Sequence, residues 1–167
     1  HGAAIGMIFS MWLYNKKVLK KSILWILDRV VIASALGAVF IRIGNFFNSE
    51  MIGKAAGDDF PLAIVFKQLD NVPRHPGQLY EAFGYVFVFL ILFFLYWKTK
   101  KSSQTGFLFG LFLVLLMSVR VVVEQFKIAQ IDSREDWIFG LNTGQVLSIP
   151  FVLCGLYFIF FYNPKKA

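Results

Sequence analysis

Hydrophobic residues fall in long runs along the chain, and short polar stretches separate these runs. A helix that crosses the hydrocarbon core of a membrane needs about 20 consecutive apolar residues. Four runs approach or exceed that length and a fifth is shorter, and they cover residues 23–48, 79–97, 105–123, 144–162 and 2–15. The pattern predicts an all-α, polytopic transmembrane helix bundle with about five spans, forming one membrane domain over residues 1–167.

Composition supports a membrane protein and excludes several other classes. The chain is 57% hydrophobic and 16% charged, whereas soluble domains are about 45–50% apolar and about 25% charged. The net charge is +7, but the basic residues form short clumps without a basic face, which argues against a nucleic-acid partner. One cysteine and two histidines exclude a disulfide framework and leave little for a metal site, so we expect no metal.

Lysines predict the orientation of the bundle. They cluster on alternate connections, at residues 16–21, 98–101 and 165–166. Cytoplasmic loops carry an excess of lysine and arginine, so these connections and the C-terminus are predicted to be cytoplasmic. Residues 49–78 then form an extracytoplasmic loop that starts as turns, because it contains several glycine, aspartate and proline residues. Within it, residues 62–66 fit either a short strand or an interfacial segment.

Costly polar residues gather near the predicted outer ends of the spans. An arginine at the bilayer centre costs roughly 2.5–3.5 kcal/mol on insertion scales, so charge in a span needs a reason. Every run contributes polar side chains at this depth: His1; Arg42, Asn45, Asn48 and Glu50; Arg74, His75, Gln78, Tyr80 and Glu81; Arg120 and Glu124; Asn142, Thr143 and Gln145. No comparable set occurs at the predicted inner ends, where lysines dominate.

Two interpretations of the arginines remain open at this point. They could form interfacial ion pairs that hold the bundle together, and Arg120 and Glu124 have the four-residue spacing of a pair on one helix face. Alternatively, Arg42 and Arg120 could hold a phosphate, which guanidinium groups bind through two parallel hydrogen bonds. A phospholipid headgroup is the phosphate abundant at that depth. The gathering of arginines, asparagines and carboxylates favours a binding site.

Other candidate residues carry weaker signals. His75 stands at a helix start, where a histidine is more often structural than a base. His1 has no lysine nearby and could act as a general base. Cys154 lies mid-span among apolar residues and is interpreted as a packing residue. Gly44 and Gly53 fit either a capped helix end or a close backbone approach.

Five segments in this order resemble the prolipoprotein diacylglyceryl transferases, and together they cover essentially the whole chain. They read HGAAIG, IRIGNFFNSEMIG, RHPGQLYEAFGY, SVRVVVEQFK and LNTGQVLSIPF. The resemblance implies a multi-pass protein of the bacterial plasma (inner) membrane with its active site towards the periplasm or exterior. The family has seven helices, about two of them before the HGAA motif, and the chain begins with His1 instead of Met. We therefore expect a fragment that is inactive or unstable alone.

The resemblance also implies a reaction. Phosphatidylglycerol would donate its diacylglyceryl group to the lipobox cysteine of a preprolipoprotein, forming a thioether and releasing glycerol phosphate. This would be the first step of lipoprotein maturation, carried out within the lipid bilayer. The nucleophilic thiol belongs to the substrate in this reaction, which agrees with the absence of a candidate nucleophilic cysteine. No cofactor is expected.

The family's motifs assign roles to matching positions. Arg42 and Arg120 would bind the phosphate, His1 would accept or relay the thiol proton, and Glu124, like Glu50, would orient the arginines or share in proton handling. The predicted substrate-binding set is Asn45, Asn48, Glu50, Gly53, His75, Gln78, Tyr80, Glu81 and Gln145. Two positions depart from the family pattern, because Ala3 and Ile41 replace glycines.

Two alternatives to the enzyme remain. A non-catalytic membrane protein could bind phospholipid headgroups through the same polar residues, as a lipid-binding subunit or part of a transporter. A transporter places its polar groups near the bilayer midplane, whereas these lie at one edge. A degenerate homologue could keep the fold alone, although retention of both arginines and His1 argues against this.

Overall fold

Five α-helices form the computed structural model, which describes residues 2–57, 60–128 and 141–162. They are α1 (Gly2–Tyr14), α2 (Ile23–Phe47), α3 (Gly77–Lys98), α4 (Phe107–Val123) and α5 (Thr143–Phe160). Helices α2, α3 and α5, and α4 with the 3-10 turn that extends it to Phe126, are each long and apolar enough to cross a membrane. The predicted helical membrane protein and the boundaries of its four long runs are thus confirmed to within about two residues.

Helices α2 to α5 form one antiparallel group. Helix α3 packs against α2 and α4, and α4 also packs against α2 and α5. The buried centre of the group consists of Val31, Ala35, Val88, Leu92 and Leu108. Many large apolar side chains point outward, including Phe40, Phe83, Phe94, Leu153 and Phe160. Such exposure suits a helix bundle whose surroundings are lipid, since its backbone polar groups are satisfied inside each helix.

Small residues allow α4 and α5 to approach closely. A Cβ atom on Gly155 would lie 2.6 Å from the carbonyl oxygen of Gly110, and one on Gly110 would lie 2.7 Å from that of Gly155. Close backbone approach at small residues is a common way for membrane helices to associate. Helix α5 continues through Pro150 without a break.

A buried aspartate joins the second turn of α2 to the first turn of α4. The Asp28 carboxylate accepts hydrogen bonds from the backbone N–H groups of Gly106 (2.6 Å) and Phe109 (2.8 Å). These N–H groups have no partner within α4, and an anion at a helix N-terminus is also stabilised by the helix dipole. The next residue, Arg29, stacks its guanidinium on Trp25 at 3.3 Å from the ring centroid. This end of the bundle is called the lysine end below.

The opposite end, called the head end, carries the head segment of residues 49–76. Strands β1 (Ile64–Val65) and β2 (Pro73–Arg74) pair antiparallel, so of the two alternatives left open for residues 62–66 the structure contains the short strand. Residues 53–55 extend this pairing on one side to Arg74 and on the other to Lys127. The head segment is thereby bonded to the residues that follow α4.

The segment at the end of α2 shows both features that the sequence allowed there, a capped helix end and a close backbone approach at a glycine. The helix is capped by a Schellman arrangement, in which Glu50 N–H donates to the Asn45 carbonyl (2.9 Å) and Ser49 N–H donates to the Phe46 carbonyl (3.1 Å). The residue in the left-handed conformation is Ser49, with φ of 56°, and not a glycine. Gly53 instead serves close approach, because a Cβ atom there would lie against the His75 carbonyl.

One ion pair orders the head segment itself. Arg74 Nη2 lies 2.5 Å from Asp70 Oδ2, and Arg74 Nη1 donates to the Gly53 carbonyl at 3.4 Å. The hydrogen bond from Arg74 lowers the pKa of the Asp70 carboxyl. A lowered pKa means that the pair stabilises the head above the ordinary pKa of aspartate and stops doing so as the carboxyl becomes protonated in acid.

Replacement of Asp28 by Ala is expected to destabilise the full-length protein by about 1–3 kcal/mol, because two buried N–H groups lose their acceptor. The Asp28→Asn variant keeps one acceptor oxygen and is expected to lose less. Thermal unfolding in detergent measures both. Equal melting temperatures for Asp28→Ala and the unmodified protein would contradict a stabilising role for this cap.

Gly155→Ala is expected to destabilise by about 1–3 kcal/mol, because the added methyl group overpacks the α4–α5 contact. Gly37→Ala is the matched control, since a Cβ atom there meets nothing within 4 Å. That change should be neutral or stabilising by up to about 1 kcal/mol through helix propensity. The same thermal unfolding assay measures both variants, and similar losses of stability for the two would rule out a specific contact at Gly155.

Candidate active site

A fully buried carboxylate, that of Glu81 on α3, is the centre of the head end. Its Oε2 atom lies 3.0 Å from Arg42 Nε and 2.7 Å from Lys127 Nζ. Its Oε1 atom accepts a long hydrogen bond of 3.5 Å from the Tyr85 hydroxyl. Three helices therefore meet at one carboxylate, because Arg42 belongs to the end of α2 and Lys127 follows the end of α4.

Lys127 is a member of this site that the sequence analysis missed. Its side chain is 7% exposed, which is unusual for a lysine. The Gly53 bridge holds its backbone, and the stem lies against Gly77, where a Cβ atom would stand 3.3 Å from Lys127 Cγ. The only signal in the sequence was its position three residues after Glu124, and a lysine at the end of a span normally indicates the membrane interface.

Arg42 and Arg120 lie in the same part of the head end, on either side of α3. The Tyr85 hydroxyl lies in the electrostatic field of both Arg42 and Arg120. Arg42 pairs with Glu81. The Arg120 residue is half-buried, and its side chain forms neither an ion pair nor a hydrogen bond with any residue in the described ranges. A half-buried guanidinium without a partner next to a second arginine is a site for an anion.

Glu124 takes a different partner from the one that its spacing suggests. Its Oε2 atom lies 4.0 Å from Lys127 Nζ, and its carboxylate lies against Gly144, where a Cβ atom would overlap Oε1 at 2.4 Å. No ion pair joins Glu124 to Arg120 within the part of the chain that is described. Since Gly144 lies in the first turn of α5, the carboxylate stands close to the positive end of that helix.

The start of α5 is tied to α4 by amide side chains. Asn142 accepts from Gln145 N–H (2.9 Å), and Gln145 accepts in return from Asn142 N–H (3.1 Å), which forms a capping box. The Gln145 amide also donates to the Val121 carbonyl at 3.2 Å, and the Asn142 amide donates to the Glu124 carbonyl at 3.3 Å. The Gln145 side chain thus caps α5 with its amide oxygen and bonds to α4 with its amide nitrogen.

His75 lies in an aromatic cluster above the start of α3. Its ring centroid is 4.7 Å from that of Phe60 and 5.4 Å from that of Phe126. Its Nδ1 atom lies 3.3 Å from the Tyr80 hydroxyl. The predicted site residues His75 and Tyr80 are therefore in contact, and they join the head segment to α3.

Gln78 fixes the loop that follows α2. Its amide nitrogen donates to the Glu50 carbonyl at 2.6 Å, while its Oε1 atom is buried without a hydrogen-bond partner in the described ranges. The carbonyl of Asn45 accepts from Glu50 N–H. The side chains of Asn48 and Glu50 are exposed, and Glu81, not Glu50, is the carboxylate on Arg42.

His1, the predicted general base, lies outside the described residues. The other twelve predicted site residues all lie at the head end, at the ends of α2 to α5 or in the head segment. Within the described ranges, no group of three or more His, Cys, Asp or Glu residues could hold a metal ion. Around Glu81 and Glu124 there are three cations, Arg42, Lys127 and Arg120, so the arrangement has the charge of an anion-binding site.

Comparison with known proteins finds relatives over the whole chain. A family model described as prolipoprotein diacylglyceryl transferase matches residues 1–161. A phosphatidylglycerol–prolipoprotein diacylglyceryl transferase of Bacteroides fragilis is 44% identical over 167 residues, which are 100% of this chain and 58% of the relative. A protein of the same name from Tolumonas auensis is 42% identical over 167 residues, which are 100% of this chain and 63% of the relative.

A third relative of that name, from Chloroherpeton thalassium, is 40% identical over 160 residues, covering 96% of this chain and 58% of its own length. The chain therefore spans about three fifths of the length of these curated relatives. The family match extends over nearly the whole chain and includes both arginines and the carboxylates around them. By this match, the chain belongs to the prolipoprotein diacylglyceryl transferase family.

Proposed function

We propose that the protein to which this chain belongs transfers the diacylglyceryl group of phosphatidylglycerol to the lipobox cysteine of a preprolipoprotein. The thiol sulfur attacks the glyceryl carbon that carries the phosphate, a C–S bond forms and the C–O bond to the phosphate breaks. The electron pair of that bond leaves with glycerol phosphate, and the thiol proton passes to a base. The names of the relatives, which include both phosphatidylglycerol and prolipoprotein, support this substrate pair.

The placement of Arg42 on Glu81 and of a half-buried, unpaired Arg120 side chain at the same end of the bundle carries the proposal. Negative charge grows on the phosphate as the C–O bond breaks, and donors that are already in place stabilise this charge most effectively. Arg120 has unused N–H groups, because no described residue pairs with it. Arg42 engages Glu81 through Nε at 3.0 Å, so its terminal Nη groups can hold the phosphate.

The remaining predicted residues take supporting roles in this proposal. His1 accepts or relays the thiol proton, and Glu124 holds the lysine that lies between the two carboxylates. Residues of the head segment and the starts of α3 and α5 shape the headgroup pocket, namely Asn45, Asn48, Glu50, Gly53, His75, Gln78, Tyr80, Glu81 and Gln145. Residues 1–167 act as one membrane-embedded transferase domain together with the further residues that full-length relatives possess.

The proposed setting is the bacterial plasma membrane, with the head end facing the periplasm or exterior. Lysines at the lysine end and after α5 support this orientation through the positive-inside rule. Residues 49–78 then form the extracytoplasmic part, and the C-terminus is cytoplasmic. The two substrates, a two-chain lipid and a membrane-anchored signal peptide, both reach the head end from the bilayer.

Arg120→Ala in the full-length protein is expected to lower the transfer rate about 10²–10³-fold, the usual cost of removing one donor from a growing negative charge. Arg120→Lys keeps the charge but loses the two parallel hydrogen bonds, so it should recover only part of the rate. The assay follows the mass of a lipobox-bearing reporter in a strain depleted of its own transferase, with protein amounts checked by blot.

Arg29→Ala is the matched control, because Arg29 is also a half-buried arginine of a membrane span but lies at the lysine end. It should keep the reporter modification at the level of the unmodified protein. If the unmodified protein accumulates but adds no diacylglyceryl mass, the transferase proposal is wrong and a non-catalytic lipid-binding role takes its place. If Arg120→Ala is fully active, the phosphate is held elsewhere.

A further inference from the structure

We propose that Lys127 is a positioning residue for the two arginines: it occupies the carboxylates of Glu81 and Glu124, so that Arg42 and Arg120 keep free N–H groups for the lipid phosphate. The inference rests on the proposed function and deepens it, by naming the group that keeps the phosphate site open. Lys127 itself acts through its neighbours and not by contact with the substrate.

Distances around Lys127 carry the argument. Its Nζ atom lies 2.7 Å from Glu81 Oε2 and 4.0 Å from Glu124 Oε2, so one ammonium group stands between the carboxylates of α3 and of the end of α4. Arg42 meets the same Glu81 oxygen through Nε. Within the described ranges no hydrogen bond joins an Arg42 Nη group to that carboxylate, which leaves the terminal edge of the guanidinium available.

Because the lysine and its carboxylate partner are buried, loss of the ammonium group would leave a carboxylate without a counter-ion. Glu81 is 0% exposed and Lys127 is 7% exposed, so water cannot readily replace a lost partner. A buried carboxylate without its counter-ion is strongly unfavourable and recruits the nearest cation. Without Lys127, Glu81 would draw Arg42 into a two-bond pair. Glu124 would turn to Arg120, which is four residues earlier on the same helix face.

The backbone holds Lys127 in place for this task. Lys54 N–H donates to the Phe126 carbonyl at 2.8 Å, and Ile128 N–H donates to the Ile52 carbonyl at 3.4 Å. On the opposite side, the stem of Lys127 packs against Gly77. The ammonium group is thus fixed from the head segment and from α3, and it cannot follow the arginines to the phosphate.

The test measures transfer kinetics of the full-length protein with phosphatidylglycerol in mixed micelles and a lipobox peptide. Lys127→Met is expected to raise the KM for phosphatidylglycerol about tenfold, a typical coupling between contacting charged groups, with kcat changed less than about threefold. Lys127→Arg should restore most of the affinity. Lys54→Met removes the same charge from an exposed lysine of the head segment and should leave both constants unchanged.

A second substitution separates positioning from a purely structural role. Neutralising the released carboxylate, in Lys127→Met with Glu81→Gln, should lower the KM again, because Glu81 then no longer competes for Arg42. A KM for Lys127→Met within about threefold of the unmodified protein would overturn the proposal. So would an elevated KM that Glu81→Gln does not improve.

Two further comparisons cover the cases in which a variant does not accumulate or the unmodified protein transfers nothing. If Lys127→Met does not accumulate, the variant with both Glu81→Gln and Glu124→Gln is compared with the triple variant that adds Lys127→Met, and a tenfold difference in KM between them contradicts the proposal. If the unmodified protein transfers nothing, the proposed function fails separately. Calorimetric titration with a short-chain phosphatidylglycerol then provides dissociation constants for the same variants, and equal constants for Lys127→Met and the unmodified protein overturn the inference.

Discussion

The head end of this bundle depends on the buried Glu81 carboxylate, which holds a cation from α2 and another from the end of α4. A carboxylate in this position is tolerated only because both cations are present. Its partners, Arg42 and Lys127, lie 39 residues before it and 46 residues after it in the chain. The contact therefore fixes the end of α2, the start of α3 and the end of α4 relative to one another. The start of α5 joins the same group, because the side-chain amides of Asn142 and Gln145 donate hydrogen bonds to backbone carbonyls at the end of α4.

An excess of positive charge follows from this arrangement. Two carboxylates, those of Glu81 and Glu124, lie among three cations, Arg42, Lys127 and Arg120, so this cluster is one negative charge short of neutrality. In a soluble protein, water and salt would compensate. Under the proposed function, the missing counter-ion is the phosphate of a lipid headgroup, because compensation by water and salt is weak near lipid. The same imbalance that makes the empty site costly therefore favours binding of an anionic headgroup.

The sequence predicted helices more fully than contacts. Apolar runs define the spans, because a membrane helix must satisfy its backbone internally and shows this in its composition. The depth of Arg42 and Arg120 was also predictable from those runs. Pairing was not: Arg120 and Glu124 have suitable spacing but do not pair, since Lys127 and the α5 start hold Glu124. The burial of Lys127 arises from long-range backbone bonds with residues 52–54, which periodicity does not contain.

Asp28 has a consequence for the order in which the protein is built. Its two N–H partners lie 78 and 81 residues later in the chain, beyond the whole of α3. While α2 and α3 are inserted during synthesis, this carboxylate has no cap to bind and must remain near water at the membrane surface. Arrival of α4 lets it settle between the helix starts. The Asp28 contact can therefore form only once α4 packs beside α2.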